Sequence, residues 1–333
     1  MFMRKSEHIR ICLEEDVSFK KTNGFEKYEL IHEALPEVNL SEIDLSCTVL
    51  GKNFAAPVFI EAMTGGVAEA RRINENLSGA AEQCGIGMGL GSQRVMMLNA
   101  ALTDTYRIRH TAPTIFLAGN IGASQLKEFG ADQLKRAMET VEADALAIHL
   151  NAAQELCQPE GDTGWANIWA AIERVCRQVE FPVIVKETGC GLSAATAKKL
   201  ENAGVACIDT GGAGGTSWAK VEQYRGSKKA GLFLEWGIPT ADSLSDCIKA
   251  VNIPVIASGG IRNGMEMVKA LAMGAAMVGM AMPFLRPATI SMSAVAERIE
   301  AVKKEIKATM FLIGAKRIAD IDMAKIRCIM PCP

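Results

Sequence analysis

Residues 145–162 read ALAIHLNAAQELCQPEGD. The opening six residues form the apolar run of a buried strand, yet His149 sits inside it and Asn151, Gln154 and Glu155 follow at once, with Pro159-Glu160-Gly161-Asp162 close behind. A surface loop accounts for the polar residues but not for the strand that feeds into them. A site at the C-terminal end of a buried strand accounts for both.

Runs of the same kind recur along the chain: PVFIE from Pro57, IGMG from Ile86, TIFLAG from Thr114, ALAIHL from Ala145, PVIVK from Pro182, ACID from Ala206, PVIAS from Pro254 and AMVGM from Ala276. Between most of them lie stretches of helical periodicity, among them EARRINENLSGAAEQC, ANIWAAIERVCRQV and SAATAKKLENAG. Eight alternating strand–helix units predict an α/β fold of the TIM (β/α)8 barrel type. A doubly wound open sheet is the runner-up, because periodicity does not show the last strand closing on the first. No GxGxxG follows the first strand, which leads instead into AMTGG.

The reading divides the chain into an N-terminal extension (1–55), the barrel (56–285) and a C-terminal helical segment (286–333), all one domain. In the last segment SAVAERIEAVKKEIKATMFLIGA reads as a helix packed on the outside. The connection between Asp209 and Pro254 is about twice the length of a simple βα turn, which marks it as functional.

Composition narrows the classes. With 49% hydrophobic and 22% charged residues the chain can bury a large core, and disorder is not expected. A formal charge of −2 offers no global field for nucleic acid or an anionic membrane, so an anionic ligand has to be held by local cations. Ten scattered Cys without a CxxC pair predict reduced thiols in a cytoplasmic protein rather than a zinc site or disulfide scaffold. The N-terminus is too charged for a signal peptide, and the longest apolar stretch, Ala270 to Met282, is too short to cross a bilayer. The 17 Met read as core filler.

In a TIM barrel the chemistry lies at the C-terminal strand ends. Here those ends carry Ala62, Met63, Thr64 and Gly65-Gly66 after the first strand; Ser92, Gln93 and Arg94 after the second; Asn120 in the third; and His149, Asn151, Gln154 and Glu155 after the fourth. Lys186 and Glu187 end the fifth, Thr210 through Ser217 follow the sixth, SGGIRNG the seventh and Met280-Ala281-Met282 the eighth. Taken alone, Lys186 reads as a solvated strand cap and His149 as a satisfied core histidine. Their company points to a site. Two Gly-rich loops after the sixth and seventh strands suit phosphate held by backbone N–H groups, with Thr216 and Arg262 adding donors. Near the start, RKSEH reads on composition as a solvated tail.

Together RKSEH, EAMTGG, GLGSQR, GNIGA, IHLNAAQELCQPEGD, PVIVKE, GGAGGTSW, ASGGIRNG and GMAMPFL resemble the type 2 isopentenyl diphosphate isomerases, FMN-dependent barrels, from residue 4 to about residue 320. HLNxxQE followed by PEGD, with GSQR and the early RK, is the specific part; the glycine loops are shared by many FMN barrels. Thr188 stands where that family often has Val, and Met282 where Gly is usual.

The resemblance implies that Arg4, Lys5, Ser92, Arg94, His149, Asn151 and Gln154 meet a substrate diphosphate and that Glu155 meets Mg²⁺. It implies that Ala62, Met63, Thr64, Ser92, Asn120, Lys186, Thr216, Gly259, Gly260, Ile261, Arg262, Ala281 and Met282 hold FMN, with Gln154, Lys186 and His149 catalytic. It further implies NADPH as the flavin reductant, a homo-oligomer (tetramer or octamer), and RKSEH as an arm over the substrate. Arg forks, a Lys point charge and a largely hydrated Mg²⁺ held by one carboxylate are suited to a diphosphate. Two other FMN-barrel chemistries fit less well. A 2-hydroxy acid oxidase needs a His base after a late strand, but the histidines are His8, His32, His110 and His149. An inosine monophosphate dehydrogenase needs a loop Cys, which GGAGGTSW lacks. A flavin-binding barrel without activity would have no use for Gln154 and Glu155.

Overall fold

The structure is a computed structural model that describes residues 2–330; the end of the expected C-terminal segment, 331–333 with Cys332, lies outside the described residues. Eight parallel strands close into a barrel: β1 (Val58–Ile60), β2 (Gly87–Gly89), β3 (Leu117–Gly122), β4 (Ala145–Leu150), β5 (Val183–Glu187), β6 (Cys207–Asp209), β7 (Val255–Ser258) and β8 (Met277–Met280). Each predicted run supplies one of them. Closure is made by β8 against β1, with Val278 opposite Val58 and Met280 opposite Ile60, so the open-sheet alternative falls.

Most strand residues are buried on both faces, as a parallel barrel ringed by helices requires. Inside, Phe59, Phe116, Ala118, Ala147, Ile184, Cys207, Ile256 and Met277 form an inner core. A hairpin of Cys47–Val49 and Lys52–Phe54 plugs its lower mouth, bringing Phe54 to 5.9 Å from Phe116 in an edge-on contact. Outside, Val58, Ile60, Met88 and Leu117 meet the helix layer. There Met292–Leu312 packs against Ala68–Cys84 and Gly264–Ala272, and its Ile299, Val302 and Ile306 are buried in the main core, each contributing about 1.5–3 kcal/mol by burial.

Capping residues fix where the helices start. Ser193, Ser217, Asn263 and Ser291 each accept a hydrogen bond from the backbone N–H three residues on, at about 1 kcal/mol apiece. Gly85, at φ 65°, ends Ala68–Cys84 and turns the chain into β2.

Two features differ from the sequence reading. RKSEH, a solvated tail on composition alone and an arm over the substrate by the resemblance, lies within a helix, Phe2–Glu14, whose Ile9 and Ile11 are buried and whose Ile11 clusters with Val17 and Val221, so the composition reading fails. The segment after residue 285 also carries more than helix. Its Ile326–Cys328 strand pairs antiparallel with Tyr28–Leu30 and ties the two ends of the chain together. Among the described residues no helix is long and apolar enough to cross a membrane.

Candidate active site

A cavity of about 370 Å³ opens at the C-terminal ends of the strands. All the site residues expected from the sequence line it: Arg4 and Lys5 from the N-terminal helix; Ala62, Met63 and Thr64 after β1; Ser92 and Arg94 after β2; Asn120 in β3; and His149, Asn151, Gln154 and Glu155 in and after β4. Lys186 in β5, Thr216 after β6, Gly259 through Arg262 after β7, and Ala281 and Met282 after β8 complete the ring.

Strand register sets its floor. His149 lies opposite Lys186, and Lys186 opposite Asp209, so adjacent strands present these groups at one level. Lys186 Nζ donates to the Glu187 carbonyl at 2.8 Å and stands 3.4 Å from Glu61 and 3.7 Å from Asp209. Burial works against its charge, but Glu61, Asp209 and Glu187 hold its pKa above the ordinary lysine value. Asp209 accepts from Ser258 Oγ at 2.5 Å and from the Gly211 N–H at 3.3 Å. Glu61 has no such donors, and burial, with the Asp209 charge next, pushes its carboxyl up to about 8 against the pull of Lys186. Burial also pushes Glu187 up, to about 7, although three consecutive backbone N–H groups (Thr188, Gly189, Cys190) donate to it and favour its charged form.

One end of the cavity is cationic and polar. Lys5 Nζ donates to the Ser92 carbonyl at 2.9 Å and to Tyr106 at 3.0 Å; burial first, then Arg4, brings its pKa down to about 7. Arg4 donates to Gln158 at 2.8 Å and Arg94 to Glu128 at 3.0 Å. His149 Nδ1 is 2.8 Å from Asn120 Oδ1, while Asn120 Nδ2 donates to the Leu90 carbonyl; this arrangement makes Nδ1 the protonated nitrogen and leaves Nε2 as an acceptor. Burial, followed by Lys186 and Lys5, lowers the His149 pKa to about 3. Three buried atoms here, Arg4 Nε, Arg94 Nε and Asn151 Oδ1, have no hydrogen-bond partner. Buried polar atoms are seldom left so, and a polyanion with its counter-cation would engage them.

Glu155 accepts from Asn151 Nδ2 at 3.0 Å and from the Asp162 N–H at 2.7 Å, which aims one carboxylate. Among the described residues no three or more His, Cys, Asp or Glu side chains gather to hold a metal ion. A cation at Glu155 would therefore draw its other ligands from water and substrate oxygen.

The opposite end is ringed by glycine. Gly259 has φ 109° and Gly260 φ 72°, conformations that disfavour a side chain; a Cβ on Gly259 would overlap the Gly212 carbonyl, and one on Gly215 would sit 2.6 Å from Gly260 N. Backbone packs on backbone, so the wall is main chain, which suits a phosphate group. Arg262 leans over this wall, 3.4 Å from the Gly214 and Gly260 carbonyls.

Other lining or supporting groups escaped the sequence reading. Glu61 and Asp209 were visible only as the polar ends of apolar runs, a signal Lys186 shared. His8 is 3.0 Å from buried Glu222 and edge-on to Trp218 at 5.3 Å. Arg225 bridges Glu222 at 2.6 Å, Glu7 at 2.9 Å and Glu160 at 2.9 Å. That network fastens the N-terminal helix over this chain's own cavity.

The family model described as FMN-dependent dehydrogenase matches residues 6–116 and 131–328. An isopentenyl-diphosphate delta-isomerase of Methanoregula boonei is 47% identical over 334 residues, with 97% of this chain and 92% of that protein covered. The chain belongs to the isopentenyl-diphosphate delta-isomerase family, and with it to the FMN-dependent dehydrogenase family. Isopentenyl-diphosphate delta-isomerases of Pyrococcus abyssi (46% identical; 96% of this chain, 90% of that protein) and of a Nostoc species (45%; 97% and 93%) are similarly related. Among solved structures, the monotopic membrane protein (S)-mandelate dehydrogenase superposes with a TM-score of 0.70 at 16% identity, covering 98% of each chain. A mutant flavocytochrome b2 with pyruvate bound gives 0.73 at 16% identity, covering 98% of this chain and 85% of that one. At such identities these likenesses speak for the shared barrel fold.

Proposed function

We propose that this chain interconverts isopentenyl and dimethylallyl diphosphate as an FMN-dependent isomerase, moving a double bond by adding a proton at one carbon and removing one from another, without net redox change. The observation that carries this reading is the division of one cavity into a glycine main-chain wall and a cationic end with unpartnered Arg4 Nε, Arg94 Nε and Asn151 Oδ1.

In this reading Thr216, Gly259, Gly260, Ile261 and Arg262 hold the FMN phosphate. Ala62, Met63, Thr64, Ser92, Asn120, Lys186, Ala281 and Met282 line the rest of its bed. Reduced FMN, when bound there, would supply the acid–base group of the reaction, with NADPH as its reductant. Lys186 favours negative charge above the cavity floor. Arg4, Lys5, Ser92, Arg94, His149, Asn151 and Gln154 bind and orient the diphosphate, and Glu155 holds a Mg²⁺ that neutralises it. Gln154 positions or relays, since a neutral amide does not store a proton near pH 7. The N-terminal helix excludes water, which protects a developing carbocation. The chain is one domain and works as a cytoplasmic homo-oligomer, a tetramer or octamer.

The test is an absorbance spectrum of purified protein with added FMN, before and after dithionite, followed by NMR of isopentenyl diphosphate. Flavin uptake and conversion only in the reduced state are expected. Failure to bind flavin, or O₂ consumption with a 2-hydroxy acid in place of isomerisation, overturns the proposal.

A further inference from the structure

The cavity floor holds more acid than its cation neutralises. Lys186 stands between two carboxyl groups, Glu61 at 3.4 Å and Asp209 at 3.7 Å, whose side chains are 7% and 2% exposed. Their surroundings differ. Asp209 accepts hydrogen bonds from Ser258 Oγ and from the Gly211 N–H. Neither oxygen of Glu61 has a hydrogen-bond partner. Room for that carboxyl is made by the main chain of β8, because a Cβ on Gly279 would collide with Glu61 Oε1.

Of the other titratable groups around it, Glu187 also changes state in this range: burial pushes it up to about 7, so it ionises at a lower pH than Glu61. From β5, Glu187 turns its carboxylate to the backbone N–H groups of 188–190. From β6, the Cys207 thiol is pushed up by burial, then by Asp209, and stays neutral. From β4, His149 is held neutral by burial and by Lys186. With both carboxyls ionised and Lys186 charged, these three groups carry one net negative charge, and Glu187 adds a second when it is ionised. Adding a further negative charge above Lys186 is opposed by Coulomb repulsion at short range in a dry site. Protonating Glu61 removes that opposition and frees Lys186 for the charge above it.

We propose that, in alkaline solution where it starts ionised, Glu61 is a proton-accepting group tied to the redox state of the flavin in this cavity, taking a proton from solvent on reduction and returning it on oxidation. The proposal rests on the reading that FMN occupies the cavity. The balance is simple: a hydride donor would give the flavin two electrons together with its one ring proton, dithionite would give two electrons while solvent gives that proton, and the only bond made on the protein is the O–H of the Glu61 carboxyl, with a further proton from solvent. Its upward-shifted pKa, near 8, fits a group poised to change state under a nearby charge.

The experiment is the midpoint potential of the FMN-loaded protein from pH 6 to 10, for wild type and Glu61→Gln. Each proton taken up with a two-electron reduction makes the potential fall by about 30 mV per pH unit. Wild type should steepen by one proton's slope, about 30 mV per pH unit, over a window opening near pH 8. Glu61→Gln should show no such window and a higher potential above it. A wild-type line that never steepens, or a window that survives in Glu61→Gln, overturns the proposal. Should the variant fail to hold FMN, infrared difference spectra of the wild-type holoenzyme read the carboxyl directly. A protonated-carboxyl band must then appear on photoreduction at pH 9, and its absence overturns the proposal as well. Protein that takes up no flavin in any form sinks the functional reading instead, so the two failures are distinguishable.

Discussion

Lys5→Ala separates a diphosphate clamp from a merely structural lysine. In the structure Lys5 Nζ donates to the Ser92 carbonyl and to Tyr106, while Tyr106 itself donates to that carbonyl at 2.7 Å. Truncation therefore orphans nothing, because the Ser92 carbonyl keeps its tyrosine. It also relieves the desolvation of an ammonium group whose pKa is brought down to about 7. Folding stability should change little, or rise. Binding is different: one charge-assisted hydrogen bond to the diphosphate, roughly 1.5–3 kcal/mol, is lost, which is a fall of roughly ten- to a hundredfold in kcat/KM. The assay is initial rates on isopentenyl diphosphate with reduced FMN, alongside flavin content and thermal unfolding. A variant within threefold of wild type in kcat/KM, or one that loses flavin in step with activity, refutes the clamp. The sign of the pH effect is a second check. Lys5 loses its proton in the free enzyme near pH 7, so kcat/KM should decline above that pH, and Lys5→Arg should flatten the decline. The stability trend runs oppositely: with a depressed folded-state pKa, the unfolded chain binds more protons between about 7 and 10.5, so this residue's contribution to stability rises with pH across that window.

Three other perturbations probe separate parts of the cavity. Thr216→Glu places a like charge beside the FMN phosphate and should weaken flavin binding at least tenfold in equilibrium dialysis, with the fold retained by circular dichroism; unchanged affinity removes Thr216 from the phosphate site. Glu155→Gln should raise the Mg²⁺ concentration needed for half-maximal activity while flavin content stays constant, and a superimposable Mg²⁺ titration contradicts the metal assignment. Gly259→Ala sets a side chain at φ 109° against the Gly212 carbonyl, a strain of about 1–3 kcal/mol or more, so both Tm and FMN retention should fall; an unshifted Tm argues against the close packing of the two loops.

The strands were legible because each is a short run buried on both faces, and burial on both faces is written into the residues themselves. Closure was not, because the pairing of β8 with β1 joins Val278 to Val58 and leaves no local trace. The same reason hides the strand Ile326–Cys328, whose partner Tyr28–Leu30 lies nearly the whole chain away. The expected site residues do line one cavity because a barrel delivers every C-terminal strand end to one face, so reading strand ends amounted to reading the lining. What strand ends do not reveal is which polar groups face one another. Lys186 was singled out, while Glu61 and Asp209, equally polar strand ends, were passed over because the register that brings them beside it is tertiary.

The N-terminal helix makes the same point from the opposite side. RKSEH looks like a tail when only its charges are counted, but Ile9 and Ile11 are buried and Ile11 packs with Val17 and Val221. Arg225 then ties Glu7, Glu160 and Glu222 together, and Glu222 meets His8. Apolar anchoring fixes the helix on the barrel, and the charge network centred on Arg225 and buried Glu222 fixes its rotation about its own axis. A helix held only by Ile9 and Ile11 could turn; one that must also present Glu7 and His8 to Arg225 and Glu222 could not. That constraint keeps Arg4 and Lys5 on the cavity wall, where the hydrogen bonds to Gln158, Ser92 and Tyr106 place them.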